Sequence, residues 1–324
     1  MQTREIQLVR RPEGRPRPGD FALVTRSLPE PGPGQALVNN VLMSVDPYIR
    51  LHMDAMQPLG ARLTGGGIGR VVRSAAGGPP EGALVRHRQG FAEDFVCDAA
   101  GLAPLVTAPD MPLEAYLSTL GGIGLCAYGG LLETGALKAG EEVFVSSAAG
   151  AVGCLAVQIA RITGCRVVGS TGSARKAAWL RDDLGVDEVI DYSARPIGPA
   201  LAEATPKGLD VYFDNVGGAH LQAALERMNP GGRIPVCGMI SAYNGAPEPV
   251  YGLDSIVLKR VSIRGFGFTD FPYLEAAFQR DMTEWLRSGR LQRRETILEG
   301  LENAPQALIG LFEGLSIGKM LLRL

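Results

Sequence analysis

A run of small residues in the middle of the chain could hold the phosphates of a nucleotide. Residues 143–153 read Val-Phe-Val-Ser-Ser-Ala-Ala-Gly-Ala-Val-Gly and follow the spacing S-x-x-G-x-x-G. Between a strand and a helix, such residues turn the chain and let backbone N–H groups approach a pyrophosphate at the positive helix end. The first glycine of G-x-G-x-x-G is missing, so a glycine-rich turn without a ligand is the alternative.

The segment after the next predicted strand indicates which dinucleotide would bind. An NAD site usually places Asp or Glu roughly 20 residues after the glycines, where it accepts from the ribose 2′-hydroxyl. Residues 167–176 read Val-Val-Gly-Ser-Thr-Gly-Ser-Ala-Arg-Lys and contain no acid. Ser173, Arg175 and Lys176 instead offer a hydroxyl and two cations to a 2′-phosphate. A solvated first helical turn is the alternative, but cations oppose the dipole at a helix N-terminus, so the sequence favours NADP(H).

Apolar strands alternate with helices between residues 116 and 289, and these elements would position both segments. The predicted strands are 142–146, 166–170, 188–191, 210–215, 232–237 and 261–265, and the predicted helices are 151–163, 174–184, 198–204, 219–228 and 273–288. Near-continuous apolar strands separated by helices are typical of a parallel sheet covered on both faces. Six such strands predict an α/β, doubly wound parallel (Rossmann) sheet domain.

The remaining residues predict a second, smaller domain. Residues 1–115 contain short β-type runs at 35–43, 68–73, 83–86 and 94–96, separated by Pro and Gly. This spacing indicates an irregular β-domain. The tail, 290–324, predicts a strand, a helix near 304–313 and a last strand near 319–324, and it could complete that domain.

Composition and charge exclude several classes of protein. The 324 residues carry 32 Lys and Arg against 34 Asp and Glu, so the chain lacks the basic excess of a nucleic-acid binder. Residues 143–160 carry no charge, but serines, glycines and Gln158 within them favour a buried strand–turn–helix over a membrane span. Residues 1–17 are charged and show no apolar core of a secretory signal, so we expect a cytoplasmic protein.

The cysteines and histidines predict neither a disulfide framework nor a metal site. The five cysteines are Cys97, Cys126, Cys154, Cys165 and Cys237, and no two form a C-x-x-C pair. An odd number of scattered thiols fits a reducing compartment. The three histidines, His52, His87 and His220, stand in no spaced cluster with cysteine, so we expect no metal.

Five motifs in a fixed order resemble a known family. They are Ser-Val-Asp-Pro-Tyr-Ile-Arg at 44–50, the glycine turn, Lys-Gly-Leu-Asp-Val-Tyr-Phe-Asp-Asn-Val-Gly-Gly at 207–218, Cys-Gly-Met-Ile-Ser-Ala-Tyr-Asn at 237–244 and Gly-Leu-Glu-Asn-Ala-Pro at 300–305. Together they resemble the zinc-independent, NADP-dependent alkenal double-bond reductase branch of the medium-chain dehydrogenase/reductase superfamily, which includes prostaglandin reductases and bacterial curcumin reductase. The resemblance covers nearly the whole chain.

The resemblance implies a fold, a reaction and a set of cofactor contacts. The fold would be a GroES-like β-domain (1–115 and 290–324) with a Rossmann domain (116–289), and hydride would pass in the cleft between them from NADP(H) to the β-carbon of an α,β-unsaturated carbonyl. The contacts implied for the pyrophosphate are Gly150, Ala151, Val152, Gly153 and Cys154; for the adenosine 2′-phosphate, Ser173, Lys176 and Tyr192; for the nicotinamide ribose, Asn215; and for the nicotinamide side, Cys237, Gly238, Ile240, Ser241, Tyr243, Phe266, Gly267 and Phe268.

The chain departs from the family pattern at four places. Ser147 replaces an Ala in the glycine turn, and Cys126 replaces a Thr before Ala127-Tyr128. Ser316 stands where relatives place an Asn at the cofactor, so it is a shorter candidate contact. The segment 53–64 is shorter than in relatives, which leaves the substrate open.

The implied reaction creates an enolate oxyanion, which needs a hydrogen-bond donor. Tyr243 is the first candidate and Tyr48 the second, with simple packing of either ring as the alternative. Two other functions stay open: a quinone oxidoreductase of the same superfamily, and a non-catalytic NADPH-binding paralogue. Residues 261–268 predict an edge strand whose exposed backbone a second subunit would cover, so we expect a homodimer.

Overall fold

The computed structural model describes all 324 residues as fifteen strands and nine α-helices. The strands are β1 Gln2–Leu8, β2 Phe21–Ser27, β3 Gln35–Ser44, β4 Gly67–Ser74, β5 Leu84–His87, β6 Asp94–Asp98, β7 Ala103–Pro104, β8 Glu142–Val145, β9 Arg166–Thr171, β10 Glu188–Asp191, β11 Leu209–Phe213, β12 Met228–Val236, β13 Ser262–Gly265, β14 Glu295–Glu299 and β15 Lys319–Arg323. The helices are α1 Tyr48–Ala55, α2 Gly122–Gly129, α3 Gly153–Ile162, α4 Ala174–Asp182, α5 Ile197–Ala204, α6 Gly218–Arg227, α7 Asp254–Leu258, α8 Glu275–Arg287 and α9 Ala304–Phe312.

The chain divides into two compact units. The first comprises Met1–Leu117, Glu295–Ser316 and Met320–Leu324, and the second comprises Ser118–Arg294 and Ile317–Lys319. None of the helices combines the length and apolarity that crossing a membrane requires.

The second unit is built on a six-stranded parallel sheet in the order β10-β9-β8-β11-β12-β13. This is the strand order of the doubly wound dinucleotide fold, which confirms the predicted fold class. One face of the sheet packs its apolar side chains, Phe144, Val168 and Tyr212 among them, against residues of α5 and α6. The carboxyl ends of β8, β9 and β11 therefore meet at one edge, where the predicted nucleotide contacts lie.

The first unit is built on a mainly antiparallel sheet in the order β14-β15-β3-β4-β5-β7, with β6 also paired to β3. Its core joins Ile6 of β1 and Met43 of β3 to Leu301, Leu308 and Leu322 of the tail. Residues of the tail therefore belong to the core of the first unit.

Six elements were not predicted from the sequence: the strands β1, β2 and β7 and the helices α1, α2 and α7. Strands β1 and β2 form an antiparallel hairpin, but Thr3, Glu5 and Gln7 of β1 are buried polar residues, which hides the apolar alternation of a strand. Helix α2 begins and ends with glycine, which has low helix propensity, and it continues into a π-helical turn, Gly130–Thr134.

Candidate active site

The small-residue turn after β8 is held close against the start of α3. The backbone of Ser147 takes a left-handed conformation, with φ at +49°, and its carbonyl accepts from Gly150 N–H at 2.9 Å. A Cβ added at Gly153 would lie 2.2 Å from the Ser147 carbonyl oxygen, so this position accepts only glycine. Helix α3 begins at Gly153 rather than at residue 151, and Ala151 and Val152 therefore belong to the turn. The bare backbone at this point fits the close approach of a pyrophosphate.

The turn after β9 brings together the residues predicted to bind a 2′-phosphate. Ser173 caps α4, and its Oγ accepts from the Lys176 N–H at 3.4 Å. The Tyr192 ring lies over Gly172, since a Cβ added there would stand 2.8 Å from the Tyr192 hydroxyl. Burial and the neighbouring Arg175 lower the pKa of Lys176, and no carboxylate pairs with its ammonium group. A half-buried cation without an anionic partner, at a helix N-terminus, is suited to a bound phosphate.

A buried carboxylate lies behind these turns at the end of β11. Asp214 is fully buried, and its Oδ1 accepts from the Tyr212 hydroxyl at 2.6 Å and from the N–H groups of Val216 and Gly217 at 2.8 Å. Its Oδ2 is buried without a hydrogen-bond partner. Burial raises the pKa of Asp214, although the donors on Oδ1 oppose the shift. The carboxyl group orders the chain that follows β11.

Asn215 ties the end of β11 to the small-residue turn. Its backbone N–H donates to Ser146 Oγ at 3.0 Å, and its Nδ2 donates to the Ser146 carbonyl at 2.8 Å. Its own carbonyl accepts from Ile240 N–H at 3.3 Å. The predicted ribose contact therefore touches both the pyrophosphate turn and the segment predicted to line the nicotinamide.

The segment after β12 is anchored on the segment after β11. The N–H groups of Cys237 and Gly238 donate to the Asp214 carbonyl at 2.8 and 3.2 Å. Ser241 Oγ donates to the Val216 carbonyl at 2.6 Å. These bonds hold residues 237–241 beside Asn215, so the structure brings this predicted group together.

A 3-10 turn, Ile240–Ala242, places the Tyr243 side chain against the backbone of Gly238 and Met239. The Tyr243 hydroxyl accepts from Met239 N–H at 3.3 Å, and it lies 3.1 Å from the position a Cβ would take at Gly238. Burial raises the pKa of Tyr243 and outweighs the Met239 N–H, which lowers it. Since the oxygen is used as an acceptor, the hydroxyl proton is available for a second group.

The two phenylalanines after β13 have different surroundings. The Phe266 ring packs edge-on against Phe213, with centroids 5.8 Å apart, inside the second unit. The Phe268 ring is 37% exposed and lies against Gly122 at the start of α2. Phe268 is therefore the more exposed of the two rings, and the roles of Phe266, Gly267 and Phe268 stay predictions.

Tyr48 and Ser316 belong to the first unit. Tyr48 begins α1, its ring lies 5.1 Å from that of His52, and it is 39% exposed. Partial burial and the Asp46 carboxylate raise the pKa of Tyr48 to about 12. Ser316 is buried. The roles of these two residues stay predictions.

Sequence reasoning missed two polar residues that hold the segment after β11 in place by hydrogen bonds. Ser146 and Asp214 each follow an apolar strand directly, and a polar residue at that place is the signal that could have found them. No group of three or more His, Cys, Asp or Glu side chains is arranged to hold a metal ion.

Comparisons with known proteins agree with this architecture. The family model described as zinc-binding dehydrogenase matches residues 151–287, and the model described as the N-terminal domain of oxidoreductase matches residues 4–105. NADPH-dependent curcumin reductase of Escherichia coli is 38% identical over 98% of this chain and 95% of its own length. The NADP(+)-dependent 2-alkenal reductase of Nicotiana tabacum is 37% identical over 94% and 93%.

A solved structure superimposes on almost the entire chain. CurA from Vibrio vulnificus is 36% identical, covers 99% of this chain and 98% of its own, and gives a TM-score of 0.92. The same protein in complex with NADPH gives 0.91. With this similarity along its whole length, the chain belongs to the medium-chain dehydrogenase/reductase family, in the branch that contains the NADP-dependent curcumin, prostaglandin and 2-alkenal reductases.

Proposed function

We propose that this protein reduces the C=C bond of α,β-unsaturated aldehydes and ketones with NADPH and leaves the carbonyl intact. The relatives named curcumin reductase and 2-alkenal reductase support the reaction class. The observation that carries the proposal is the Tyr243 hydroxyl, which accepts from Met239 N–H and keeps its own proton free beside the predicted nicotinamide contacts.

Apart from Ser316, the cofactor site is proposed from residues of the second unit. Gly150, Ala151, Val152, Gly153 and Cys154 would bind the pyrophosphate through backbone N–H groups, because the turn leaves no room for larger side chains at Gly153.

Ser173, Lys176 and Tyr192 would bind the 2′-phosphate, for which Lys176 provides the unpaired charge. Asn215 would contact the nicotinamide ribose, and residues 237–243 together with Phe268 would line the nicotinamide. Ser316 is kept as a proposed contact.

The proposed reaction requires only hydrogen-bond donation and proton transfer from the protein. When bound, NADPH supplies a hydride for the β-carbon, and negative charge then develops on the carbonyl oxygen of the substrate. A Tyr243 hydroxyl that stays protonated at neutral pH would donate to that oxygen, and the α-carbon would afterwards take a proton. Tyr48, whose pKa burial and the Asp46 carboxylate raise to about 12, is the second proposed donor. Neither a nucleophile nor a metal is needed for these steps.

The first test is NADPH oxidation by the purified protein with four acceptors: a 2-alkenal, an aryl enone, a quinone and a saturated ketone. We expect turnover of the first two, and mass spectrometry should find the saturated product with its carbonyl retained. Turnover of the quinone alone would favour the quinone oxidoreductase. Binding of NADPH without any turnover would favour a non-catalytic paralogue.

The donor is tested by Tyr243→Phe. Loss of one oxyanion donor lowers kcat by roughly 100- to 1,000-fold, so we expect a fall in that range with NADPH affinity retained. Tyr273→Phe is the matched control, because Tyr273 is 66% exposed and is not among the proposed site residues. Full turnover by Tyr243→Phe would contradict the donor role.

We further propose that two copies pair through the edge of the parallel sheet. Strand β13 is exposed along its length, and Val257 and Leu258 of the preceding α7 are 78% and 70% exposed. An open strand edge beside large apolar side chains is typical of a subunit interface. Light scattering should give about twice 34.3 kDa. Val257→Lys should give the monomer mass and Val106→Lys should not, although Val106 is 89% exposed.

The cellular location is also a proposal. The five free thiols support a reducing compartment, and we propose the cytoplasm.

A further inference from the structure

A row of four aromatic rings lies on one face of the parallel sheet in the second unit. The Tyr212 ring of β11 stacks on the Phe144 ring of β8, with centroids 4.9 Å apart, and the Phe144 ring is parallel to that of His220 on α6 at 6.4 Å. His220 in turn meets Tyr192, the residue after β10, in an edge-to-face contact with centroids 4.9 Å apart and the ring planes at 88°. The row therefore ends at a residue that is proposed to bind the 2′-phosphate.

His220 contributes a buried, uncharged ring to this row. It is 7% exposed, and its Nε2 has no hydrogen-bond partner. Burial lowers the pKa of His220 to about 4, so the ring is neutral at neutral pH and adds no charge to the phosphate site. A leucine would occupy a similar volume without a buried, unpaired nitrogen, which is costly. The property that imidazole has and leucine lacks is a flat aromatic ring, which packs edge-to-face against a second ring.

The Tyr192 side chain is fixed by this contact and by the backbone below it. A Cβ added at Gly172 would stand 2.8 Å from the Tyr192 hydroxyl oxygen, so the ring lies directly over bare backbone. Tyr192 is nevertheless 41% exposed, which leaves part of the side chain open to a ligand. Burial and the Asp191 carboxylate raise the pKa of Tyr192, so its hydroxyl keeps the proton that it would donate to a phosphate oxygen.

We propose that His220 is a positioning residue that holds the Tyr192 ring over Gly172 and thereby strengthens the preference for NADPH over NADH. This inference rests on the proposed function, because Tyr192 is a proposed contact of the 2′-phosphate. A half-exposed tyrosine without the contact to His220 would be free to take other rotamers, and its hydroxyl would point at the phosphate for less of the time. NADH has no 2′-phosphate, so the position of the Tyr192 hydroxyl matters less for its binding.

The experiment measures the NADPH and NADH dissociation constants of the full-length protein by cofactor fluorescence. For His220→Ala we expect the NADPH constant to rise about five- to tenfold, from the loss of one edge-to-face pair, and the NADH constant to change by less than about twofold. His220→Phe restores a ring and should keep the NADPH constant within about twofold of the wild type. His220→Leu keeps most of the volume and should show the same selective loss as His220→Ala, so the test does not depend on the folding of the alanine variant.

A second buried histidine provides the matched control. His87 of the first unit is 5% exposed, packs against the Phe95 ring with centroids 4.6 Å apart, and also has an unpaired Nε2. His87→Ala should therefore lower the free energy of unfolding about as much as His220→Ala, but it should leave both dissociation constants unchanged.

A double-mutant cycle tests whether His220 acts through Tyr192. In a Tyr192→Ala background, His220→Ala should have no further effect on the NADPH constant, because the ring that it positions is gone. An equal rise for NADPH and NADH in His220→Ala, an unchanged NADPH constant, or an undiminished effect in the Tyr192→Ala background would overturn the positioning role. A loss in His220→Phe as large as in His220→Ala would overturn the ring contact as its cause. A wild-type protein that binds NADH as tightly as NADPH would instead contradict the proposed 2′-phosphate site.

Discussion

Glu5 of the first unit and Asp214 of the second are both buried carboxylates, and their surroundings are opposite. Glu5 of the first unit is 2% exposed and both of its oxygens receive donors: Gln7 at 2.8 Å, Arg62 at 2.8 Å and Arg26 at 3.4 Å. Burial alone would raise the pKa of Glu5, but these donors together outweigh it and the pKa is lowered. The Glu5 carboxylate is therefore a charged structural group whose two oxygens are both hydrogen-bonded.

Asp214 of the second unit is equally buried but is given no cation. Neutral donors converge on Oδ1, Oδ2 has no partner, and burial raises the pKa of Asp214. Ser170 Oγ, at the end of β9, and His220 Nε2, at the start of α6, are also buried without partners. The first unit leaves single atoms of Asn40 and His87 unpaired, but no oxygen of its buried carboxylates. Unpaired polar atoms are rare in protein interiors, and a group of them at the carboxyl ends of parallel strands marks the site rather than the scaffold.

The largest expected effect comes from removing the Asp214 acceptor. Asp214→Ala leaves the N–H groups of Val216 and Gly217 buried without an acceptor, while the Tyr212 hydroxyl keeps Ser146 Oγ at 3.1 Å. Each orphaned donor costs roughly 1–3 kcal/mol, so we expect the free energy of unfolding in urea to fall by about 2–6 kcal/mol. Asp214→Asn keeps an oxygen at Oδ1 and should lose less than half as much. Equal losses in the two variants would show that the hydrogen bonds to Oδ1 do not order this region.

We expect Glu5→Gln to lower the free energy of unfolding by less than Asp214→Ala does, because Glu5 accepts from side chains and the substitution leaves no backbone N–H group without an acceptor. The variant removes the charge that pairs with Arg62 and Arg26, and hydrogen bonds to charged groups contribute about 1.5–3 kcal/mol, so we expect a loss in that range. Glu13→Gln, at an exposed position of the same unit, should change the free energy of unfolding by less than about 0.5 kcal/mol. If both variants lost the same free energy of unfolding, the ion pairs of Glu5 would not stabilise the fold.

The sequence predicted the parallel sheet because its pattern is local. The central strands β8, β9 and β11 carry short apolar runs at 143–145, 167–168 and 211–213, and the strand order follows from the rules of the fold. The hairpin of β1 and β2 could not be predicted this way, because Glu5 is buried only through arginines that are 21 and 57 residues away. Its burial is a property of the folded unit and leaves no local pattern.

The candidate site likewise contains some features that the sequence predicts and others that it does not. The glycine turn and Lys176 could be predicted, since the types of residue at fixed distances from a strand carry the signal. The direction of the Tyr243 proton and the unpaired Asp214 oxygen could not, because both depend on hydrogen bonds across loops that follow different strands.

The two units also differ in their cations, and Lys176→Ala tests that difference. Arg62 is paired with Glu5, whereas Lys176 has no acid, so its loss should affect ligand binding and not folding. One charge-assisted contact contributes about 1.5–3 kcal/mol, so we expect the NADPH dissociation constant to rise roughly 10- to 150-fold and the NADH constant to stay within about twofold. Lys138→Ala is the matched control at an exposed site. A parallel loss of NADH affinity would contradict a 2′-phosphate contact.

The smallest effect is the pH dependence of stability, and it has opposite signs in the two units. The pKa of Glu5 is lowered on folding, so its contribution is present above its unfolded pKa and is lost as pH falls through the folded value. The pKa of Asp214 is raised, so the folded protein binds the extra proton, and stability falls as pH rises from the ordinary carboxyl pKa to the raised one.

One such group changes the free energy of unfolding by at most about 1.4 kcal/mol per pH unit. Urea unfolding across pH 3–8 should therefore show the wild type losing stability relative to Asp214→Asn as pH rises, and gaining stability relative to Glu5→Gln. Because each variant is compared with the same wild type, all other titrating groups cancel. Slopes of the same sign for both variants would mean that Asp214 is held as a charged group like Glu5. The inferred difference between the fully paired Glu5 and the partly unpaired Asp214 would then be wrong.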